Sequence, residues 1–343
     1  MIEPTKWCGT LASGSRCKAV CDAFLPTLEY LQGGPPVIEA KSVCAPFRRK
    51  KLRWYREPRF VLNDESGHFF GEVASSMETI IIMGSGNLAR SLVTGWLSVE
   101  PSKQLHVLAR SERFLSRGWD ASARELVGYS PDILQEADLI VLAVKPKDVG
   151  EAFDTLARHG SSDTPVLSVM AGITLHTMRN HLPHRPLIRT MPNICSRVNR
   201  SVTGACFSEI DELRKSAVLH LLNQLGYVVE TEEHLLNPMT AVYGSGPAYV
   251  YLFIQTIVDT AQELGIPDGL AREMVLEMMR GAAELALAEP HTPFPTFVRE
   301  VASPGGTTEA MLNVLDHEDW PGVIKRALFE AGKRATQLGS CKS

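Results

Sequence analysis

Gly84-Ser85-Gly86-Asn87-Leu88-Ala89 has the spacing G-x-G-x-x-A and lies directly between a β-branched run at 79–83 and a segment of helical period from Asn87. At such a strand-to-helix turn the first glycine permits the tight bend and the second lets a pyrophosphate approach the backbone. The small Ala89 lets helix and strand pack closely. The free N–H groups at the helix start then favour an anion. The pattern alone also occurs as a structural glycine turn, but its place at the head of a βαβ unit favours dinucleotide binding. Gly84, Ser85, Gly86, Asn87 and Leu88 are the expected cofactor contacts.

The kind of dinucleotide is read about 20 residues further on, at the end of the second strand, where an NAD site presents Asp or Glu to the ribose 2′-hydroxyl. This chain has Val107-Leu108-Ala109-Arg110-Ser111-Glu112 there. A guanidinium with a hydroxyl beside it suits a 2′-phosphate, which arginine holds bidentately. Arg110 and Ser111 therefore point to NADPH, and Glu112 keeps NADH possible.

Four more polar or Gly-rich stretches are ones a packed core would not ask for. They are Val144-Lys145-Pro146-Lys147, Arg189-Thr190-Met191-Pro192-Asn193, Gly244-Ser245-Gly246-Pro247-Ala248-Tyr249 and Ser303-Pro304-Gly305-Gly306-Thr307-Thr308. The first two follow strand-like runs, and open α/β sheets bind ligands at the carboxyl ends of their strands. Ala143, Lys145, Pro146 and Asn193 are thereby site candidates. The last stretch opens a helix, whose backbone N–H groups could hold a carboxylate. No Ser/His/Asp or Cys/His arrangement stands out and no metal-ligand spacing is found, so no metal is expected. His176, His181 and His184 fall on a polar stretch broken by Pro183 and read as loop histidines. Cys195 and Cys206 read as small core residues. Hydride transfer needs none of these, because the cofactor carries the chemistry and the protein supplies orientation and electrostatics.

The elements that must position these groups alternate. Strand-like runs at 79–83, 105–109, 139–144, 166–169 and 187–190 are separated by helical or loop segments. That order implies a parallel sheet with helices on both faces. A helix at 213–225 and a strand at 227–230 close the unit near Asn237. Beyond it the spacing predicts helices at 247–264, 268–288, 295–301, 305–315 and 320–336, and no strand. The expected fold class is α/β: a Rossmann-type dinucleotide-binding domain at 77–237, followed by an all-α dimerisation and substrate domain at 238–343. The segment 249–264 is apolar nearly all round, and five helices alone cover such a helix poorly. A homodimer or larger homo-oligomer is expected.

Composition bounds the partners. The 343 residues are 44% hydrophobic and 22% charged, with a net charge of −4. Nothing global attracts nucleic acid or an anionic membrane. Apolar runs are short, such as the six residues at 139–144, whereas a membrane span needs roughly 18. Seven cysteines, an odd and sparse number, and the lack of a recognisable secretory signal point to a reducing cytoplasm. Residues 1–76 differ from the rest: they hold four of the seven cysteines, and 11 basic against 8 acidic residues. No helical or strand period persists there, so they read as a poorly structured N-terminal extension. Their cysteines lack the C-x2-C pairs of ordinary zinc sites. Their basic run from Arg48 to Arg56 leaves a nucleic-acid contact as the weaker reading, and scattered acidic residues disfavour a transit peptide. An appendage is the simpler reading, since Met77 directly precedes the first convincing strand.

From about Met77 to its end, the chain resembles the pyrroline-5-carboxylate reductase family. The landmarks follow in order: G-x-G-x-x-A at 84–89, V-K-P at 144–146, A-G at Ala171-Gly172, M-P-N at 191–193, G-S-G-P-A at 244–248 and S-P-G-G-x-T at 303–308. The last is the most telling. Ser130 departs from the family, many members of which have Asn near the adenosine. The resemblance implies reduction of the C=N bond of 1-pyrroline-5-carboxylate to L-proline with NADPH or NADH, the final step of proline synthesis. It implies that Thr308 hydrogen-bonds the ring nitrogen while the backbone of Pro304, Gly305, Gly306 and Thr307 holds the carboxylate. Ser303, Asn193 and Ser245 complete the expected substrate contacts. Ala171 and Gly172 join the cofactor residues, and Lys145 belongs to both the catalytic and cofactor sets. Two rivals stay open. A β-hydroxyacid-type or ketopantoate-like reductase would need a Lys or Glu on the long interdomain helix, where 249–264 offers Asp259, Gln262 and Glu263 near its far end. A catalytically silent dinucleotide sensor would have no use for the 303–308 loop.

Overall fold

Ile80, Ile81 and Ile82 are each fully buried, as three consecutive β-branched residues should be in a strand covered on both faces. They form β1 (Thr79–Met83). The structure, a computed structural model, describes residues 77–109, 124–127 and 131–340; Arg110, Ser111, Ser130 and the expected extension lie outside them. After β1 come α1 (Asn87–Val99), β2 (Gln104–Ala109), β3 (Arg124–Val127), α2 (Pro131–Gln135), β4 (Leu139–Leu142) and α3 (Val149–His159). There follow β5 (Val166–Ser168), α4 (Leu175–His181), β6 (Leu187–Met191), β7 (Ser201–Ser208), α5 (Glu212–Asn223) and β8 (Gly226–Glu230). The strands pair in the order β3-β2-β1-β4-β5-β6-β7-β8.

Each face of the sheet has its own core. On one, Ile80 and Ile82 pack with Leu92 and Trp96 of α1 and with Val218 and Leu221 of α5. The Trp96 indole N–H donates to the Leu221 carbonyl at 3.0 Å, which satisfies its one polar atom inside the core. On the other, Ile81 and Met83 pack with Leu134 of α2, Phe153 and Leu156 of α3 and Met178 of α4. This is a Rossmann-type three-layer arrangement.

Several details depart from the sequence reading. β3 and β7 are strands the spacing does not predict, and Cys195 and Cys206 are half-buried rather than core residues. The sheet is parallel-dominated rather than wholly parallel, because β7 runs antiparallel to β6. His176 and His181 lie on α4 instead of a loop, where the His181 ring stacks on Phe153 with centroids 4.8 Å apart. His184 occupies a left-handed turn, φ 62°.

Beyond β8 the described residues are helical: α6 (Leu236–Met239), a π-helical turn (Thr240–Gly244), α7 (Gly246–Glu263), α8 (Asp268–Ala288), α9 (Phe294–Val301), α10 (Thr307–His317) and α11 (Trp320–Ser340). Their own core is small, built around Val258, Ala271 and Val275. Tyr251, Leu252, Phe294, Val314 and Phe329 are exposed, Leu252 to 69%. So many exposed large apolar side chains are unusual for a surface that meets only water. Among the described residues, no helix is long and apolar enough to cross a membrane.

Candidate active site

β1 and β4 are neighbours, yet the chain leaves β1 toward β2 on one side and β4 toward β5 on the other. The crevice at their carboxyl ends is a topological switch point, where open α/β sheets take ligands. Gly84 closes its floor with φ 119°, and a Cβ there would come 2.5 Å from the Ala143 carbonyl oxygen. Its N–H donates to the Leu108 carbonyl at 3.0 Å, while the Ala143 N–H donates to the Met83 carbonyl at 2.9 Å. Three strand ends therefore converge on a position that admits glycine alone.

Gly86 is the N-cap of α1 and brings no side-chain acceptor to the helix's first N–H groups; no acidic residue lies in that turn. Among the described residues, a Cβ on Gly86 would meet no atom within 4 Å. The positive end of this 13-residue helix therefore has, among the described residues, no acidic side chain in its first turn and no side-chain cap, which fits a pyrophosphate. Exposed Lys145 precedes the 3-10 turn Pro146–Asp148 on the loop that meets Gly84. Ala171 and Gly172 follow β5 along the same edge. Among the described residues, no group of three or more His, Cys, Asp or Glu side chains could hold a metal ion.

Asn193 stands at the end of β6 and caps the 3-10 turn Ile194–Val198. Its Oδ1 accepts from the Cys195 N–H at 2.9 Å and its Nδ2 donates to the Tyr243 carbonyl at 3.0 Å. Its own N–H donates to Ser201 Oγ at 2.9 Å. Both ends of this buried amide are engaged by the protein, so its geometry is that of a bracket. The bracket reaches the π-helical turn, where the Ser245 N–H donates to the Thr240 carbonyl at 2.9 Å. Such turns recur at functional sites, and this one leaves Ser245 exposed at the head of α7. The M-P-N and G-S-G-P-A stretches are brought together, while burial pushes the Cys195 thiol pKa up against the opposing effect of a Tyr251 hydrogen bond.

The 303–308 stretch has a different setting. Gly305 has φ 72°, and its N–H donates to Glu309 Oε2 at 2.8 Å. The Gly306 N–H donates to the Ser303 carbonyl at 3.0 Å. Gly306 is the N-cap of α10 and no side chain caps that helix. Thr307 and Thr308 are its first two residues, the Thr308 side chain half-buried. The loop's hydrogen bonds run within 303–310; it is not bonded to Gly84, Lys145 or Asn193. Sequence reasoning did not single out Glu233 or Asn237, which both bond buried Arg189. A charged residue amid the apolar run of β6 was the available signal.

Residues 79–172 match a family model described as NADP oxidoreductase, coenzyme F420-dependent, and residues 233–338 one described as pyrroline-5-carboxylate reductase dimerisation. Pyrroline-5-carboxylate reductase 2 of Bacillus subtilis is 32% identical over 270 residues, which cover 76% of this chain and 95% of the relative. The chain belongs to the pyrroline-5-carboxylate reductase family. A solved pyrroline-5-carboxylate reductase from Coxiella burnetii is 27% identical with a TM-score of 0.65, covering 77% of this chain and 99% of that one. The Plasmodium falciparum pyrroline carboxylate reductase, solved with NADP bound, shares the fold at a TM-score of 0.71 and 23% identity, covering 77% and 100%. In the present chain the dimerisation match spans the helices that carry the exposed apolar side chains.

Proposed function

We propose that this chain is the reductase that converts 1-pyrroline-5-carboxylate to L-proline with NADPH, the last step of proline biosynthesis, with NADH as a possible second donor. The observation that carries the reading is identity at 32% across 95% of the Bacillus subtilis pyrroline-5-carboxylate reductase 2. When bound, the reduced nicotinamide supplies hydride to the imine carbon. In our reading the turn from Gly84 to Leu88 holds the pyrophosphate, with Ala143, Lys145, Pro146, Ala171 and Gly172 along the same edge. Arg110 and Ser111 take the 2′-phosphate. The N–H groups at the start of α10 hold the substrate carboxylate, with Ser303 and Ser245 at its border. The Thr308 hydroxyl donates to the ring nitrogen, which gains basicity as the C=N bond is reduced.

The working unit in this proposal is a homodimer or larger assembly in which a second copy covers α7 to α11. The exposure of Tyr251 and Leu252 supports it. A reducing cytoplasm is the proposed compartment, in keeping with the sparse cysteines.

One assay tests the reaction: NADPH oxidation followed by absorbance with pyrroline-5-carboxylate, then with ketopantoate. Turnover is expected with the first substrate alone. Turnover with ketopantoate alone, or with neither, overturns the assignment.

A further inference from the structure

β6 carries a charge where its pattern calls for none. Leu187 and Ile188 are fully buried, and Arg189 beside them is 2% exposed. Its Nη1 donates to Glu233 Oε1 at 3.1 Å and its Nη2 to Asn237 Oδ1 at 2.7 Å, while its Nε finds no acceptor among the described residues. Glu233 Oε1 also accepts from the Leu175 N–H at 2.7 Å. Leu175 opens α4 three residues past Gly172, and Asn237 lies in α6, which leads into the π-helical turn. One guanidinium is therefore bonded, directly and through one carboxylate, to both segments that border the site.

We propose that Arg189 is a positioning residue: through Glu233 it fixes the loop holding Ala171 and Gly172, and through Asn237 the segment that carries Tyr243 to Ser245. A buried ion pair is weak support for stability, since apolar residues of similar volume often do as well. What arginine adds is a planar fork whose two ends have a fixed separation and direction. Here the two ends reach residues in different turns. Asn193, four residues on, adds its own bond to Tyr243, so the end of β6 is fastened to the junction at two points. The inference rests on the reading that these segments border cofactor and substrate.

The test uses the purified full chain, with amide exchange and kinetics read separately. Arg189→Met should raise exchange at Leu175, whose N–H bonds Glu233 rather than Arg189, by about tenfold. The same variant should lower kcat by about tenfold with the NADPH KM little changed. Glu233→Gln keeps an acceptor for both donors and should stay within about threefold of the parent, whereas Glu233→Ala should behave as Arg189→Met. If Arg189→Met lowers Tm while Leu175 exchange and kcat at low temperature hold, the ion pair is structural and the proposal falls. Should Arg189→Met fail to fold, Asn237→Ala decides by the same kcat-against-KM split. A parent chain with no turnover of pyrroline-5-carboxylate would sink the proposed function, while the exchange result would still decide the coupling.

Discussion

The side-chain amide of Asn193 donates to the Tyr243 carbonyl across 3.0 Å while its oxygen accepts from the Cys195 N–H at 2.9 Å. One buried residue thus joins the end of β6 to the turn that opens the helical domain, 50 positions later. Asn193→Ala would leave a carbonyl and an N–H unpaired, and an unsatisfied buried group costs about 1–3 kcal/mol. We expect a loss in that range by urea denaturation, with kcat/KM reduced as well. Asn193→Asp keeps the acceptor for Cys195 and faces Tyr243 with a carboxylate. It should recover part of the stability and little of the activity. Full recovery of kcat/KM in Asn193→Asp would show that the Tyr243 bond does not position the site.

β1, β4 and β5 were legible because strands buried on both faces read as unbroken apolar runs. β7 was not. Its sequence, Ser201-Val202-Thr203-Gly204-Ala205-Cys206-Phe207-Ser208, has neither run nor alternation, and its place comes from pairing with β6 and β8 and from Leu236 and Met239 packed over Gly204. β3 is a four-residue edge strand, too short to show a period. The dinucleotide turn was readable because all its determinants lie within a dozen residues. Arg189 was visible as an anomaly, but its partners lie 44 and 48 residues on, and no local pattern names them.

Leu252 tests the second copy. In the single chain it is 69% exposed, so Leu252→Asp should cost a monomer nothing. At a buried dimer interface the same change would place an unpaired charge out of water. Light scattering should find a monomer or aggregate without activity. An active dimer would move the interface away from this face of α7.

Arg110 should govern cofactor choice. Losing a charge-assisted contact to a phosphate costs about 1.5–3 kcal/mol, which is about 10- to 150-fold in affinity. Arg110→Ala should raise the NADPH KM by that factor and leave the NADH value nearly unmoved. Equal losses with both donors would assign Arg110 a structural role.

Met77 is buried, and its carbonyl accepts from Lys103 Nζ at 3.0 Å. A chain beginning at Met77 retains that contact and the whole of β1. Its soluble yield and kcat/KM should lie within about twofold of the full chain, as for removal of an appendage. A large loss of either would show that residues 1–76 take part in folding or catalysis.

Thr308 is placed by a turn that needs no hydroxyl from it. Gly306 caps α10 and no side chain bonds its first N–H groups, while the Glu309 carboxylate reaches back to the Gly305 N–H at 2.8 Å. A threonine retained as a cap would show a bond from its oxygen to a later N–H, and neither Thr307 nor Thr308 makes one. Removing the Thr308 hydroxyl should therefore leave the helix start intact. The proposed contact to the ring nitrogen strengthens as that nitrogen becomes an amine, so its loss should be felt in the transition state more than in the bound substrate. Thr308→Ala should cut kcat by about tenfold or more, with Tm and NADPH affinity nearly unchanged. Thr308→Ser, which keeps the hydroxyl, should recover most of the rate. A fall in Tm with kcat preserved at low temperature would make Thr308 a structural residue and would overturn its proposed contact to the ring nitrogen.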